Sequence, residues 1–146
     1  MMSHCQICGR EIKINHFGKI CHHGYQRTGQ GWQTASCLGA LYLPYEKSCE
    51  RLKEVIESTR ILFTQEQKYL NDFLKSPPET INELRGLLNA RTIIVHEKPD
   101  GFTPDVPEFF RGYSKQYHIR RREIERSQHN FTLELDFLRH RLENFK

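Results

Sequence analysis

The sequence predicts an α+β fold, mainly α. A small zinc-bound β-hairpin head, of zinc-ribbon or treble-clef kind, precedes a long antiparallel helical hairpin. Three observations carry this. Residues 1–44 hold six of the nine glycines, together with cysteines and histidines at ligand spacing. A heptad pattern of alternating four- and three-residue steps runs from Tyr45 to Phe73. An apolar residue recurs every seven positions from Tyr117 to Phe145. The expected parts are a head over 1–44 and a helical hairpin over 45–146, with helices at about 45–75 and 106–145 and an irregular insertion at 77–105.

In the head, glycine at this density prevents long helices and marks turns. Glu11-Ile12-Lys13-Ile14 alternates polar and apolar, as a short strand does. Asn15-His16-Phe17-Gly18 reads as a turn, Lys19 to His23 as the returning strand, and Gly24 to Ser36 as a loop.

Pro44 closes the head. The positions Tyr45, Cys49, Leu52, Ile56, Thr59, Phe63, Glu66, Leu70 and Phe73 then form one stripe, widened by Val55, Leu62 and Tyr69. Such a stripe predicts an amphipathic helix of roughly eight turns. Ser76-Pro77-Pro78 stops it. Glu79 to Asn89 reads as a short helix weakened by Gly86. Thr92 to Val95 has strong β-propensity but is too short to make a sheet alone. Lys98-Pro99-Asp100-Gly101 is a turn, and Asp105 is the expected cap of the second helix.

That second helix carries Tyr117, Ile124, Phe131, Leu138 and Phe145, with Leu135 and Leu142 beside them. A seven-residue repeat is a coiled-coil seam. The two seams have similar length, which favours one hairpin within the chain. A monomer and a coiled-coil-mediated homodimer are both compatible with it.

Composition narrows the function. The chain has 146 residues, 27% charged and 37% hydrophobic, with a mean hydropathy of -0.70. No apolar run approaches the ~18 residues needed to cross a bilayer. Met1-Met2-Ser3-His4-Cys5 has no basic region followed by an apolar one, so no signal peptide is expected and the cytoplasm is the expected location. Thiols stay reduced there, so five cysteines are not a disulfide framework. The net charge of +4 is unevenly spread. Residues 1–44 and 108–146 each carry +3, 45–76 are neutral and 77–107 carry -2.

The five cysteines suit a metal instead. Zinc takes four thiolate or imidazole ligands in a tetrahedron. Cys5-Gln6-Ile7-Cys8-Gly9-Arg10 supplies two, because a C-x-x-C turn brings both sulfurs to one side and the glycine lets amides turn toward them. Cys37, followed by Leu38-Gly39, is a third on a comparable turn. The fourth falls among Cys21, His22 and His23. Adjacent strand residues point to opposite faces, so only some of these face the metal. Cys8-x14-His23-x13-Cys37 closes the site, and Cys8-x13-His22-x14-Cys37 does so nearly as well. His23 is preferred because Gly24 follows and can bend the chain. His22 is the alternate ligand, and Cys21 would give an all-thiolate site. Ordinary buried cysteines, or a redox C-x-x-C pair, are the competing readings. Stability decides: the head has too few large apolar side chains for its own core. A structural zinc contributes on the order of 10 kcal/mol to folding in small modules. Cys49, at a seam position, reads as a small core residue.

The motifs Cys5-Gln6-Ile7-Cys8-Gly9-Arg10, His22-His23-Gly24-Tyr25-Gln26-Arg27, Gly29-x-Gly31-Trp32-Gln33-Thr34-Ala35-Ser36-Cys37, Leu43-Pro44-Tyr45-Glu46 and Ser48-Cys49-Glu50, in this order, resemble a group of small phage and prophage proteins. Those have a zinc-finger head and a helical coiled-coil tail. The motifs cover residues 5–50; the tail resembles the group by pattern only. The resemblance implies a zinc site and a phage or mobile-element origin. The group carries an apolar residue where Cys21 stands, which argues against Cys21 as a ligand. It often has a proline after the position of Arg27, where this chain has Thr28, a difference that touches loop stiffness only.

Catalysis is not expected. His96-Glu97 opens an H-E-x-x-H pattern, but Asp100 stands where the second histidine is needed. The deaminase signature is absent too. Four good ligands favour a closed site over an open catalytic one. The expected role is a non-enzymatic, zinc-binding, phage-type accessory protein that binds nucleic acid or a host complex that handles it. Arg10, Arg27 and Trp32 in the head, and Lys115, Arg121, Arg122 and Arg126 in the tail, are the candidate contacts. Residues 115, 118, 122, 126 and 129 share one helical face and could follow a phosphate backbone. Against that, Glu123 and Glu125 can pair with the arginines, and charge runs on helices are usually solvated. For Trp32 the favoured reading is packing, over the zinc site or on the start of the long helix, rather than anchoring a partner. The alternative is a protein-binding inhibitor of a host defence complex, anti-CRISPR-like, with no direct nucleic-acid contact.

Overall fold

A computed structural model describes residues 1–25, 35–86, 91–105 and 112–145. The fold is α+β: the described residues form two helices and three small antiparallel pairs of strands. In order these are β1 (Met2–His4), β2 (Glu11–Lys13), β3 (Gly24–Tyr25), β4 (Ala35–Ser36), α1 (Glu50–Lys75), β5 (Thr80–Arg85), β6 (Thr92–Glu97) and α2 (Gly112–Glu143). The pairs are β1 with β2, β3 with β4 and β5 with β6. Among the described residues no helix is long and apolar enough to cross a membrane.

The chain divides into two compact units. One is Met1–Thr64 with His129–Lys146, the other Gln65–Gln128. Each helix contributes to both.

In the first unit the turn at Asn15–Gly18 forms as expected. The Asn15 carboxamide oxygen accepts from the amides of Phe17 and Lys19, and Gly18 takes a left-handed φ of 76°. The strand before it, however, takes its sheet partner from the other side: Met2, Ser3 and His4 face Lys13, Ile12 and Glu11. Only a single bridge, Ile14 to Ile20, joins it to the returning segment. The expected loop after Gly24 also holds a strand pair, Gly24 with Ser36 and Tyr25 with Ala35. Charged Lys13 and Glu11 lie at the rim of β2, so hydrophobic alternation there says only that Ile12 faces inward.

The core of this unit is Cys5, Ile7, Ile20, Cys37, Cys49, Leu52, Val55 and Leu138. It joins the head, the start of α1 and the end of α2. The first helix begins at Glu50, five residues later than the heptad pattern predicts. Tyr45 is spent elsewhere: its amide donates to the His4 carbonyl at 2.8 Å and its hydroxyl to the Arg141 carbonyl. Pro44 instead closes a turn, accepting from the amides of Lys47 and Ser48.

In the second unit Phe73, Tyr113, Tyr117 and Ile124 form the core, with Leu70, Ile81 and Phe102 packed on it. Phe73 stacks on Tyr117 with ring centroids 4.7 Å apart and planes 8° apart. The insertion is where prediction and structure part most. Residues expected to start a short helix form β5 and pair with β6 from Thr80–Glu97 to Arg85–Thr92. Helical spacing of Ile81 and Leu84 misled because the β-branched run Thr92 to Val95 supplies a partner strand, and Gly86 turns the chain at φ 108°. The predicted helix start at 106 falls in 106–111, outside the described residues.

The seam residues are buried or half-buried throughout, from Cys49 to Phe73 and from Tyr117 to Phe145. Leu62 and Tyr69, expected to widen the stripe, are instead exposed.

Candidate metal centre

Two tight turns build the site. Cys5 to Gly9 closes with the Gly9 amide donating to the Cys5 carbonyl at 3.1 Å, and the Cys5 amide donating to Arg10 at 2.9 Å. Gly9 takes a left-handed φ of 72°, and a Cβ there would run into the Arg141 guanidinium. Cys37 to Ala40 is the second turn, closed by the Ala40 amide on the Cys37 carbonyl at 2.9 Å. A Cβ on Gly39 would strike the Cys5 sulfur, so a side chain there would push the two turns apart. Amides aim at the sulfurs: those of Ile7 and Cys8 at Cys5, that of Arg10 at Cys8 and that of Gly39 at Cys37.

The ligand atoms of Cys5, Cys8, His23 and Cys37 all lie within 4.8 Å of one another and can hold a metal ion. Cys5 and Cys37 are buried, with Sγ to Sγ at 3.7 Å, far longer than a disulfide of about 2.05 Å. His23 Nε2 lies 3.3 Å from Cys8 Sγ. Its other nitrogen, Nδ1, is 2.8 Å from the Cys21 carbonyl, to which it donates. That bond fixes the tautomer and leaves the Nε2 lone pair directed at the sulfurs. His22 turns away, with Nδ1 3.1 Å from Ser36 Oγ. Of the three neighbouring candidates, then, His23 joins the three sulfurs, and Cys21 serves through its backbone.

The thiols do not titrate alike. The Cys8 thiol is pulled far below its ordinary value by hydrogen bonds from Cys37 and Cys5, then by Arg10. Cys37 is pushed far above it by Cys5 and Cys8, then by burial. For Cys5 the bond to Cys37 lowers the value, but Cys8 and burial outweigh it and the thiol is raised. Cys8 is the sulfur that Arg10 faces, its Nε 3.5 Å away. Crowding and burial oppose ionisation of Cys5 and Cys37, so only a cation bound among the sulfurs would hold all three as thiolates.

Three residues outside the ligand set hold the centre. Gln6, fully buried, donates from Nε2 to the Leu43 carbonyl at 2.8 Å and accepts on Oε1 from the Leu52 amide at 3.2 Å. It thus caps α1 from inside the C-x-x-C turn, taking one of the orphan amides of the first helical turn. Arg141 donates to the carbonyls of Gln6 and Cys5, each at 3.0 Å, and its guanidinium lies over the Tyr45 ring at 4.5 Å. Glu46 accepts from Ser3 Oγ at 2.7 Å and from the His4 amide, with His4 Nδ1 at 2.5 Å. Burial raises its carboxyl, but these bonds outweigh it and bring it down to about 2. Sequence reasoning missed Arg141 and Glu46, whose partners lie 136 and 42 residues away. Gln6 was within reach, because a buried amide inside a ligand turn has to find partners.

The candidate contact residues are scattered in their fates. Arg10 is committed to Cys8 and to the Gly24 carbonyl. Arg27 and Trp32 lie outside the described residues. On α2, Arg121 pairs with Glu125 at 2.8 Å and Arg120 with Glu123 at 3.2 Å. Lys115 is half-buried, while Arg122 and Arg126 are exposed.

Compared with protein-family models, curated proteins and solved structures, the chain matches none of them.

Proposed function

We propose that this is a zinc-fastened, non-catalytic binding protein of phage type, and that its partner is a host protein that handles nucleic acid. The observation that carries the zinc is the ligand geometry. A tetrahedron with Zn–S of about 2.3 Å and Zn–N of about 2.0 Å has edges of about 3.8 Å between sulfurs and about 3.5 Å from sulfur to nitrogen. Cys5 Sγ lies 3.7 Å from Cys37 Sγ and Cys8 Sγ 3.3 Å from His23 Nε2, and all four atoms lie within 4.8 Å of one another. Three sulfurs and an oriented imidazole complete the coordination, so no position is left for a substrate or an activated water, and the metal's role is structural. When bound it neutralises the thiolates that the amides and Arg10 already face.

The helices support the hairpin reading unit by unit. Leu52 and Val55, early in α1, share a core with Leu138, late in α2. Phe73, late in α1, packs on Tyr117, early in α2. Phage origin rests on the sequence resemblance.

A protein partner is favoured over nucleic acid by the pairing of the basic residues. Arg10, Arg120 and Arg121 are engaged within the molecule. Exposed apolar side chains at Leu38, Leu41, Tyr42 and Leu43 offer protein-like contact beside the second ligand turn. A pull-down from host lysate with and without nuclease, run beside a gel shift on random DNA and RNA, tests this. The expected result is capture that survives nuclease and no shift at 50 mM salt. A shift that weakens steeply between 50 and 200 mM salt would establish phosphate binding instead.

A further inference from the structure

The second unit carries a groove that the metal-centred reading does not use. It encloses about 560 Å³ and is lined along one side by five consecutive residues of β5, Thr80 to Leu84, and along the other by residues that include Tyr69, Phe73, Ile119 and Arg120. Consecutive residues of a strand point to alternate faces of the ribbon. Only the edge of the strand can present all five to one groove.

The hydrogen-bond phase of the ribbon shows what that edge offers. The Lys98 amide donates to the Glu79 carbonyl at 2.7 Å, one step beyond the Thr80–Glu97 pair. In an antiparallel pair bonded and non-bonded positions alternate. Ile81, Glu83 and Arg85 therefore bond to β6, and Thr80, Asn82 and Leu84 turn their N–H and C=O groups outward. Among the described residues these outward groups have no hydrogen-bond partner. They recur every second residue, about 6.6 Å apart, which is the repeat of an added strand.

Charge narrows the occupant. Glu83 is held by Arg85 at 2.7 Å and His96 at 2.8 Å, and Glu123 by Arg120 at 3.2 Å. Every charged side chain lining the groove is thus paired, and no uncompensated cation awaits a phosphate chain. Unpaired peptide groups along one wall and the rings of Tyr69 and Phe73 on the other match an uncharged extended peptide.

The geometry points to a peptide-binding groove in which an extended segment of a partner protein adds as a third strand to the free edge of β5. It sets one row of its side chains against Tyr69, Phe73 and Ile119. This site is independent of the metal.

The test is selection of a display library of random heptapeptides on the full-length protein, followed by affinity measurements on the recovered peptides. Proline at Asn82 removes one outward N–H without breaking a ladder bond, and proline at Val95 does the same on the opposite edge of the ribbon. Asn82→Pro is expected to weaken binding at least tenfold and Val95→Pro less than twofold. N-methylating one alternate set of peptide amides should likewise cost at least tenfold, and the other set almost nothing, with no change to the protein. Failure to enrich any peptide overturns the proposal. So do recovered peptides that tolerate both methylated sets, or that bind Asn82→Pro as tightly as the parent. Self-association that Asn82→Pro abolishes, with no peptide bound, would make a second copy of the chain the occupant and overturn it as well.

Discussion

The first unit gathers Cys5, Ile7, Ile20, Leu52, Val55 and Leu138 behind a cluster of sulfurs, whereas the second gathers Phe73, Tyr113, Tyr117 and Ile124 into a stack of rings. Strands of two or three residues in the first cannot stand by themselves, and their order comes from the ligand set and the side chains that grip it. The six-residue strands of the second pack Ile81 directly onto an aromatic core. Each helix thus contributes residues to two kinds of core. The lesson is that burial alone does not say what stabilises a region: Cys5 and Tyr117 are both 0% exposed, yet one faces a cluster of sulfurs and an imidazole and the other a neighbouring ring.

The largest expected break in this comparison is metal removal. Chelation, or Cys37→Ser, should withdraw on the order of 10 kcal/mol from the first unit. Amide exchange should then rise sharply over residues 1–25 while the β5–β6 ladder keeps its protection. Equal loss in both would show that the two cores are one cooperative structure. Next in size is Phe73→Ala. It removes a stacked ring from the second core and should cost about 3–5 kcal/mol by denaturant unfolding, with zinc stoichiometry unchanged.

The smallest effect concerns acid. The Glu46 carboxyl sits at about 2 when folded against 4.5 ordinarily. A depressed folded value gives stability that is present above pH 4.5 and is lost as the pH falls toward 2. The parent should therefore lose stability more steeply across that window than Glu46→Gln, by a small margin because the pair is exposed. Parallel melting curves of the two proteins from pH 5 to pH 2.5 would sharpen or remove this contribution.

Much of the candidate metal centre was legible because ligand spacing is local. Cys5, Cys8 and Cys37 follow from turn chemistry, and the preference for His23 over His22 needs only the neighbouring Gly24. The buried stripes of both helices were legible for the same reason, since period alone places Leu52, Tyr117 and Leu138. What escaped was set by distant partners. Tyr45 fits the heptad but is drawn to His4 and Arg141, so α1 starts late. Leu84 fits a helix but meets Ile93 across a ladder. No local pattern assigns Arg10 to Cys8 rather than to a phosphate.

The Arg141 clamp has a consequence for how the chain is made. Its guanidinium grips the carbonyls of Cys5 and Gln6 from 136 and 135 residues downstream. At 5–20 residues per second, a nascent chain carries its first ligand turn for roughly 7–27 s before that grip exists. During synthesis the turn must rely on its own amides. Premature termination before Arg141 would then be felt first at the opposite end of the sequence, in the turn that carries Cys5 and Cys8.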